Sequence, residues 1–209
     1  MPESGDRHNL TPPDTRKAAQ DMIVSLAPET LDLSVVLPCL NEAENLRVLL
    51  PDLRRALDSL GVSWEILVVD GDSADDTPEV ARAEGVRYVR EETKGYGAAI
   101  MRGFHEAGGL HVLTMDADLS HPARFISDLW AARDTADLVI ASRYVPGGGA
   151  DQPAFRLFLS RVINAFFGRG LSLPARDLSS GFRIYRRAVL RGMAVEHANF
   201  AVLMEILLK

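Results

Sequence analysis

The chain has 209 residues, 47% hydrophobic and 25% charged, with a formal net charge of -6. That is ample for one domain with a sizeable core and short for two, and the acidic balance argues against a general nucleic-acid binder, which would show a basic face. The single cysteine, Cys39, excludes an intramolecular disulfide and a cysteine-built zinc cage, and it fits a reducing compartment.

No stretch has the long apolar run of a transmembrane helix, and the N-terminus lacks the basic-then-apolar layout of a signal peptide, so the chain is expected on the cytoplasmic side. Residues 1–32 carry Pro2, Pro12, Pro13 and Pro28 among mixed charges, the composition of a flexible leader. Residues 33–209 then read as one domain. Leu33 to Pro38 is the first buried strand. Asn41 stands where a helix N-cap belongs, with Glu44 three residues on to complete a capping-box-like pair. Leu46, Leu49, Leu50, Leu53, Leu57 and Leu60 recur at three- and four-residue steps and mark the buried face of that helix. Pro51 is expected to kink it and Gly61 to end it. Glu42, just after the strand, either reaches into the crevice at the strand tips or serves the helix dipole from the first turn.

A second strand, Trp64 to Val69, ends in Asp70-Gly71-Asp72-Ser73-Ala74-Asp75-Asp76-Thr77, and Pro78 opens another helix. Four aspartates exceed what capping requires. Asp76 or Thr77 can cap, Asp75 is read as solvated, and Asp70 at the strand tip is the candidate for ligand contact; Asp72 is left open. A short strand, Val86 to Val89, precedes Lys94-Gly95-Tyr96-Gly97-Ala98-Ala99 at the start of a helix reaching about Ala107. Its small residues permit close backbone approach, and the helix N-terminus with Lys94 suits an anion. It is neither a Walker loop nor a dinucleotide fingerprint.

The next strand, Leu110 to Met115, ends in Asp116-Ala117-Asp118, and Pro122 starts a helix running to Ala132. Ligands of open α/β sheets bind at the carboxyl ends of the strands, so Asp116 and Asp118 fall where a site is expected. Two hard oxygen donors suit Mg²⁺ or Mn²⁺ bridged to substrate phosphates. The plainer alternative is Asp118 in a turn and Asp116 solvated. Ala136 to Ala141 forms a further strand, ending at Ser142-Arg143-Tyr144. Gly147, Gly148 and Gly149 make the following loop mobile and suited to act as a lid. Ala154 to Phe167 reads as a helix whose stripe, from Phe155 to Phe166, is either core or a membrane-surface face. The stretch from Arg176 to Arg187 alternates partly like a strand, with Asp177 a general base, a phosphate-side organiser or a turn residue. His111, His121 and His197 share no ligand spacing and are assigned surface or packing roles. The end, Glu205 to Lys209, stops inside an apolar helical pattern and reads as a truncation.

Strands alternating with helices, with carboxylates at two strand ends, predict an α/β domain with a mainly parallel sheet and a metal-and-phosphate site. The segments Ser34 to Leu46, Val68 to Ser73, Lys94 to Ala99, Met115 to Pro122, Ser142 to Tyr144 and Asp177 to Arg183 together resemble glycosyltransferase family 2. Within it, they are similar to the dolichol-phosphate mannosyltransferase group, in order and spacing from about Ser34 to Lys209. The resemblance implies a Rossmann-like GT-A fold and an inverting transfer of a sugar, most readily mannose from GDP-mannose, to a polyprenyl or dolichyl phosphate. It also implies a nucleotide-sugar site formed by Pro38, Leu40, Glu42, Val68, Asp70, Asp116, Ala117, Asp118 and Ser120. Divalent Mg²⁺ or Mn²⁺ would sit on Asp116 and Asp118. Ser120 stands where the family often has glutamine. Arg143, Arg156 and Ser160 resemble acceptor-phosphate contacts, so Asp116, Asp118 and Arg143 are the catalytic candidates. A peripheral enzyme at the inner face of the membrane follows from such an acceptor, with room for a membrane-protein partner. A UDP-sugar donor (glucose or N-acetylglucosamine) is the alternative within the family. Outside it stand a haloacid-dehalogenase-type phosphatase built on Asp70 and Asp72, and an inactive nucleotide-sugar-binding scaffold.

Overall fold

A computed structural model of the chain describes residues 31–142, 177 and 180–209. The leader through residue 30, Arg143, the triple-glycine segment and the stretch expected to form a helix with Arg156 and Ser160 lie outside the described residues. The strands are β1 (Leu31–Cys39), β2 (Trp64–Asp70), β3 (Arg87–Arg90), β4 (Gly109–Thr114), β5 (Leu138–Ile140) and β6 (Arg183–Arg186). Between them run α1 (Ala43–Asp58), α2 (Thr77–Ala83), α3 (Tyr96–Glu106), a 3₁₀ turn (Ala123–Phe125) and α4 (Ile126–Ala132), followed after β6 by the short α5 (Arg187–Leu190) and α6 (Val202–Leu208).

The six strands form one sheet in the order β3-β2-β1-β4-β6-β5. β3, β2, β1 and β4 are parallel neighbours, while β6 runs antiparallel to both β4 and β5. The sheet is therefore mainly parallel with one reversed strand. Its central strands are covered on both faces, as parallel sheets require. Val35, Leu37, Ile66, Val68 and Leu113 point to one side, where Leu46, Leu49, Leu50, Leu53 and Leu57 of α1 cover them. Val36, Leu67, Val69 and Val112 point to the other, against Ile100 and Phe104 of α3 and Val202, Leu203 and Ile206 of α6. At about 1.5–3 kcal/mol for each fully buried leucine, the α1 stripe alone is a large fraction of the driving force for this layer.

Two local expectations change, while α1 runs past Pro51 as expected, to Asp58. β1 begins at Leu31, two residues before the predicted strand. Asn41 does not cap α1. It takes a left-handed backbone (φ 58°), accepts the Ala74 N–H at 2.8 Å and donates its own N–H to Ser73 Oγ at 2.7 Å, so it stitches the β1-α1 loop to the β2-α2 loop. The residue before α1 is Glu42, whose carbonyl accepts the Leu46 N–H.

The chain winds from β1 outward to β2 and β3, then returns to place β4 on the opposite flank of β1. This reversal opens a crevice beyond the carboxyl ends of β1 and β4, where ligands of open α/β sheets bind.

Candidate active site

A cavity of about 590 Å³ occupies that crevice. From the end of β1 come Pro38, Leu40 and Glu42; from the end of β4 come Asp116, Ala117 and Asp118; the loop after β2 contributes Gly71 and Asp72. Lys94, Gly95 and Tyr96 close the wall at the start of α3, and Phe200 completes it from the loop before α6. Of the nine predicted nucleotide-sugar residues, these six from β1 and β4 are brought together. Three are not. Val68 is fully buried in the core under α1, because the alternation of β2 turns it into the sheet–helix interface. Asp70 is 1% exposed. Ser120 is exposed beside the cavity, and its N–H caps Asp118 Oδ1 at 3.0 Å.

Asp70 is a brace. Its carboxylate accepts the Tyr88 hydroxyl at 2.8 Å and both the hydroxyl and N–H of Ser73. Burial, then the contact with Asp70, pushes the Tyr88 phenol up to about 12, so it remains a donor. A buried carboxylate engaged in this way is not disposed to attack phosphorus, which removes the basis of the phosphatase alternative. Asp72, left open by the sequence, lines the cavity instead, in a left-handed conformation (φ 71°) and paired with Arg90 at 2.6 Å. Asp75 is likewise a structural tie: it accepts the Ala43 N–H at 3.0 Å together with the N–H and hydroxyl of Thr77. Desolvation is the largest single influence and pulls its carboxyl up, but these hydrogen bonds together outweigh it and hold the carboxyl below the usual range.

Among the described residues, non-glycine residues with positive φ are Asn41, Asp72 and Leu119. All three follow strand ends that border the cavity. Left-handed backbone costs an ordinary side chain roughly 1–2 kcal/mol, and clustering of such strain beside one crevice is typical of functional sites.

Asp116 and Asp118 differ in setting. Asp118 is exposed. The Asp116 side chain is 25% exposed, with Oδ1 accepting the Tyr96 hydroxyl at 2.9 Å and Oδ2 lying 3.5 Å from His121 Nε2. His121 also lies against Phe182, with ring centroids 5.2 Å apart. Tyr96, His121, Gly181 and Phe200 are site residues that the sequence did not single out for these roles. Tyr96 sits inside a motif noted for its glycines, and Phe200 carries no local signal beyond being aromatic near a helix start. The expected anion cradle at the α3 N-terminus is partly filled, since the Gly97 N–H donates to the Ala198 carbonyl at 2.7 Å. Asp177 is buried, and Arg183, fully buried, donates to the carbonyls of Ser180 (2.6 Å) and Leu203 (2.7 Å). Arg183 thus ties the start of β6 to the backbone at Ser180 and to α6.

The donor set defines what the cavity can hold. Glu42, Asp72, Asp116 and Asp118 stand against one lysine, Lys94, among the described lining residues. A polyanion entering alone would be repelled; a divalent cation between it and the carboxylates reverses the sign. No group of three or more His, Cys, Asp or Glu among the described residues could hold an ion by itself. Two adjacent carboxylates fit an ion that completes its oxygen shell with phosphate and water, as Mg²⁺ and Mn²⁺ do.

The sequence profile of glycosyl transferase family 2 matches residues 34–193. The chain is 38% identical over 190 residues to a dolichol-phosphate mannosyltransferase of Pyrococcus furiosus, covering 86% of this chain and 53% of that protein. It is 39% identical over 168 residues to a polyprenol monophosphomannose synthase of Mycolicibacterium smegmatis, covering 75% of this chain and 62% of that one. A third relative, an undecaprenyl-phosphate 4-deoxy-4-formamido-L-arabinose transferase of Salmonella paratyphi B, is 32% identical over 169 residues, covering 77% of this chain and 50% of that protein. The chain thus spans about half to three-fifths of the length of these relatives. Among solved structures, it shares its fold with glucosyl-3-phosphoglycerate synthase of Mycobacterium tuberculosis, solved with Mn²⁺, uridine diphosphate and glucosyl-3-phosphoglycerate. The TM-score is 0.68 at 22% identity, covering 98% of this chain and 70% of that one.

Proposed function

The chain belongs to glycosyl transferase family 2, and from that membership we propose that it transfers a hexosyl group from a nucleotide-sugar to a polyprenyl phosphate, with GDP-mannose the favoured donor. The observation that carries the proposal is the acidic cavity at the switch point of the sheet, lined by Asp116 and Asp118 together with Lys94. That is a setting for a cation-bridged diphosphate. The names of the relatives support the lipid-phosphate acceptor and mannose, and Mn²⁺ with uridine diphosphate in a protein of the same fold supports a divalent ion.

In this reading Pro38, Leu40 and Glu42 border the nucleoside, with Asp72 across the cavity in the place first assigned to Asp70. Asp116 and Asp118 hold the ion. When bound, such an ion acts as a Lewis acid that relieves charge on the departing nucleoside diphosphate. The chain's own residues supply orientation. Lys94 attracts the diphosphate, and the packed walls formed by Ala117 and Tyr96 fix where its sugar end points. An acceptor phosphate is already ionised, so the site needs no strong general base; it needs cations that hold the attacking oxygen in line. Arg143 and Arg156, whose planar forks donate paired hydrogen bonds, and Ser160 are the proposed holders. A polyprenyl acceptor would bring the protein to the inner face of the membrane as a peripheral enzyme, with or without a membrane-protein partner. No helix among the described residues is long and apolar enough to cross it.

A thermal-shift titration with GDP-mannose and UDP-glucose, each with and without Mn²⁺, tests the reading. Ligand at about 100 times its dissociation constant stabilises the fold by roughly 2.7 kcal/mol. Stabilisation by one donor that needs Mn²⁺, and transfer of its sugar to a short polyprenyl phosphate, are expected. Binding without transfer would select the inactive scaffold, and stabilisation by UDP-glucose alone would select the other donor class.

A further inference from the structure

The carboxylate of Asp116 is held from a part of the chain far away in sequence. Its Oδ1 accepts the Tyr96 hydroxyl at 2.9 Å. The Tyr96 ring is itself stacked on Phe200, centroids 4.1 Å apart and planes inclined by 16°. Phe200 is 64% exposed, so the stack is not a by-product of core burial. The loop that carries it is fastened at two points. Glu205, in α6, accepts the N–H groups of Glu196 (2.8 and 3.0 Å) and His197 (3.1 Å), and contacts His197 Nδ1 and Lys209 Nζ, each at 2.9 Å. The Ala198 carbonyl then accepts the Gly97 N–H at 2.7 Å. A Cβ at Gly95 or Gly97 would fall 2.3 Å or 2.5 Å from backbone oxygens of this loop, so the two segments meet backbone to backbone.

We infer that Tyr96 is a positioning residue for Asp116, and that Phe200 sets the Tyr96 ring so that Oδ1 is occupied and Oδ2, which faces His121 Nε2 at the longer distance of 3.5 Å, is the oxygen presented to the ligand. The assignment of that ligand as a cation-bridged diphosphate rests on the function proposed above; the positioning itself does not. Three physical points support it. A carboxylate with one oxygen engaged by a fixed donor loses rotational freedom that it would otherwise forfeit on binding. In that bond the Tyr96 hydroxyl is the donor and the carboxylate oxygen the acceptor, so the direction of the contact is fixed by chemistry. Asp118, by contrast, makes a hydrogen bond within its own turn, to the Ser120 N–H. The pair therefore consists of one preset oxygen ligand and one adjustable one. Outer partners of metal-binding carboxylates have this effect in general, and their loss costs about 10–100-fold in affinity.

The test uses Tyr96→Phe, which keeps the stacked ring and deletes only the hydroxyl, with Phe200→Ala and Phe200→Tyr. The first readout needs no ligand: crystal structures of the wild type and Tyr96→Phe, compared for the Asp116 rotamer. Expected are one rotamer in the wild type and several, or a rotated one, in the variant, at an unchanged thermal midpoint. The second is calorimetry with GDP and UDP in the presence of Mn²⁺. Tyr96→Phe should weaken nucleotide binding about tenfold; Phe200→Ala should weaken it in the same direction, and Phe200→Tyr should restore it. An unchanged Asp116 rotamer in Tyr96→Phe overturns the inference, as does unchanged affinity in a protein that binds nucleotide. If the wild type binds neither nucleotide, the proposed function has failed, and the rotamer comparison alone decides the positioning role.

Discussion

The carboxylate of Asp116 rests against the α-carbon of Gly181: a Cβ there would stand 2.7 Å from both Oδ1 and Oδ2 and 2.8 Å from the Tyr96 hydroxyl oxygen. The backbone at Gly181 cannot retreat freely, because the buried Thr114 hydroxyl donates to the Gly181 carbonyl at 2.7 Å. Gly181→Ala must therefore push on the carboxylate or on this backbone. We expect a loss of about 1–3 kcal/mol in stability from the added methyl, and a fall of about tenfold in Mn²⁺-dependent nucleotide affinity as Asp116 is displaced. Urea unfolding and calorimetry on one preparation separate the two, and native affinity would show that the site tolerates the methyl.

Asp118 is exposed and bonded only within its own turn in the contacts described. Asp118→Ala is expected to change stability by no more than about 0.5 kcal/mol, as for most surface substitutions, while abolishing sugar transfer and Mn²⁺-dependent stabilisation by the donor. Turnover near the wild-type rate in the folded variant would remove Asp118 from the metal site.

On the opposite face of the sheet, a Cβ at Gly103 of α3 would lie 2.2 Å from Val36 Cγ1 on β1. Alanine favours a helix over glycine by roughly 0.8–1.0 kcal/mol, but overpacking a closed layer costs about 1–3 kcal/mol. With a clash this short and Val36 fully buried, overpacking wins. Gly103→Ala should lower the urea midpoint with nucleotide affinity within twofold, roughly, of wild type. A raised midpoint would mean that α3 lifts off the sheet without penalty.

Glu205 gives a pH dependence. Burial raises its carboxyl, but the hydrogen bonds from Lys209, His197 and the N–H groups of Glu196 and His197 outweigh it and bring the value from 4.5 down to about 2. A depressed folded value means that the proton binds more weakly to the carboxylate in the folded state than in the unfolded one. Its contribution is complete above the unfolded value of 4.5 and is lost as pH falls towards about 2. Across that window the wild type should lose more stability than Glu205→Gln, measured by urea unfolding at several pH values. Parallel curves for the two proteins would show that the carboxylate is not held as described.

Much of this protein was legible in its sequence because much of it is local. The leucine stripe from Leu46 to Leu57 identified α1 and its buried face, since a 3.6-residue period needs no knowledge of the partner layer. Apolar runs, two of them ending in carboxylates, located β1, β2 and β4 within two residues, and the sheet rule placed Asp116 and Asp118 at its carboxyl edge. Spacing could not rank the aspartates after β2. Whether Asp70 or Asp72 reaches the cavity depends on Tyr88, a residue of β3 that supplies the hydroxyl keeping Asp70 inside. Asn41 misled for a similar reason: its side chain can cap a helix or bond a neighbouring loop, and the nearby Ala74 N–H decided for the loop.

The sequence alone therefore determined the class of fold, the family and the two carboxylates, because periodicity, strand-end chemistry and motif order are properties of short segments. Only the tertiary structure decided what surrounds them. Tyr96 and Gly181 meet at Asp116, with Phe200 stacked behind Tyr96, because β6 inserts antiparallel beside β4 while the loop before α6 returns onto the start of α3. Those contacts join residues far apart in the chain, and their energy depends on distance and direction in space, which no local pattern encodes.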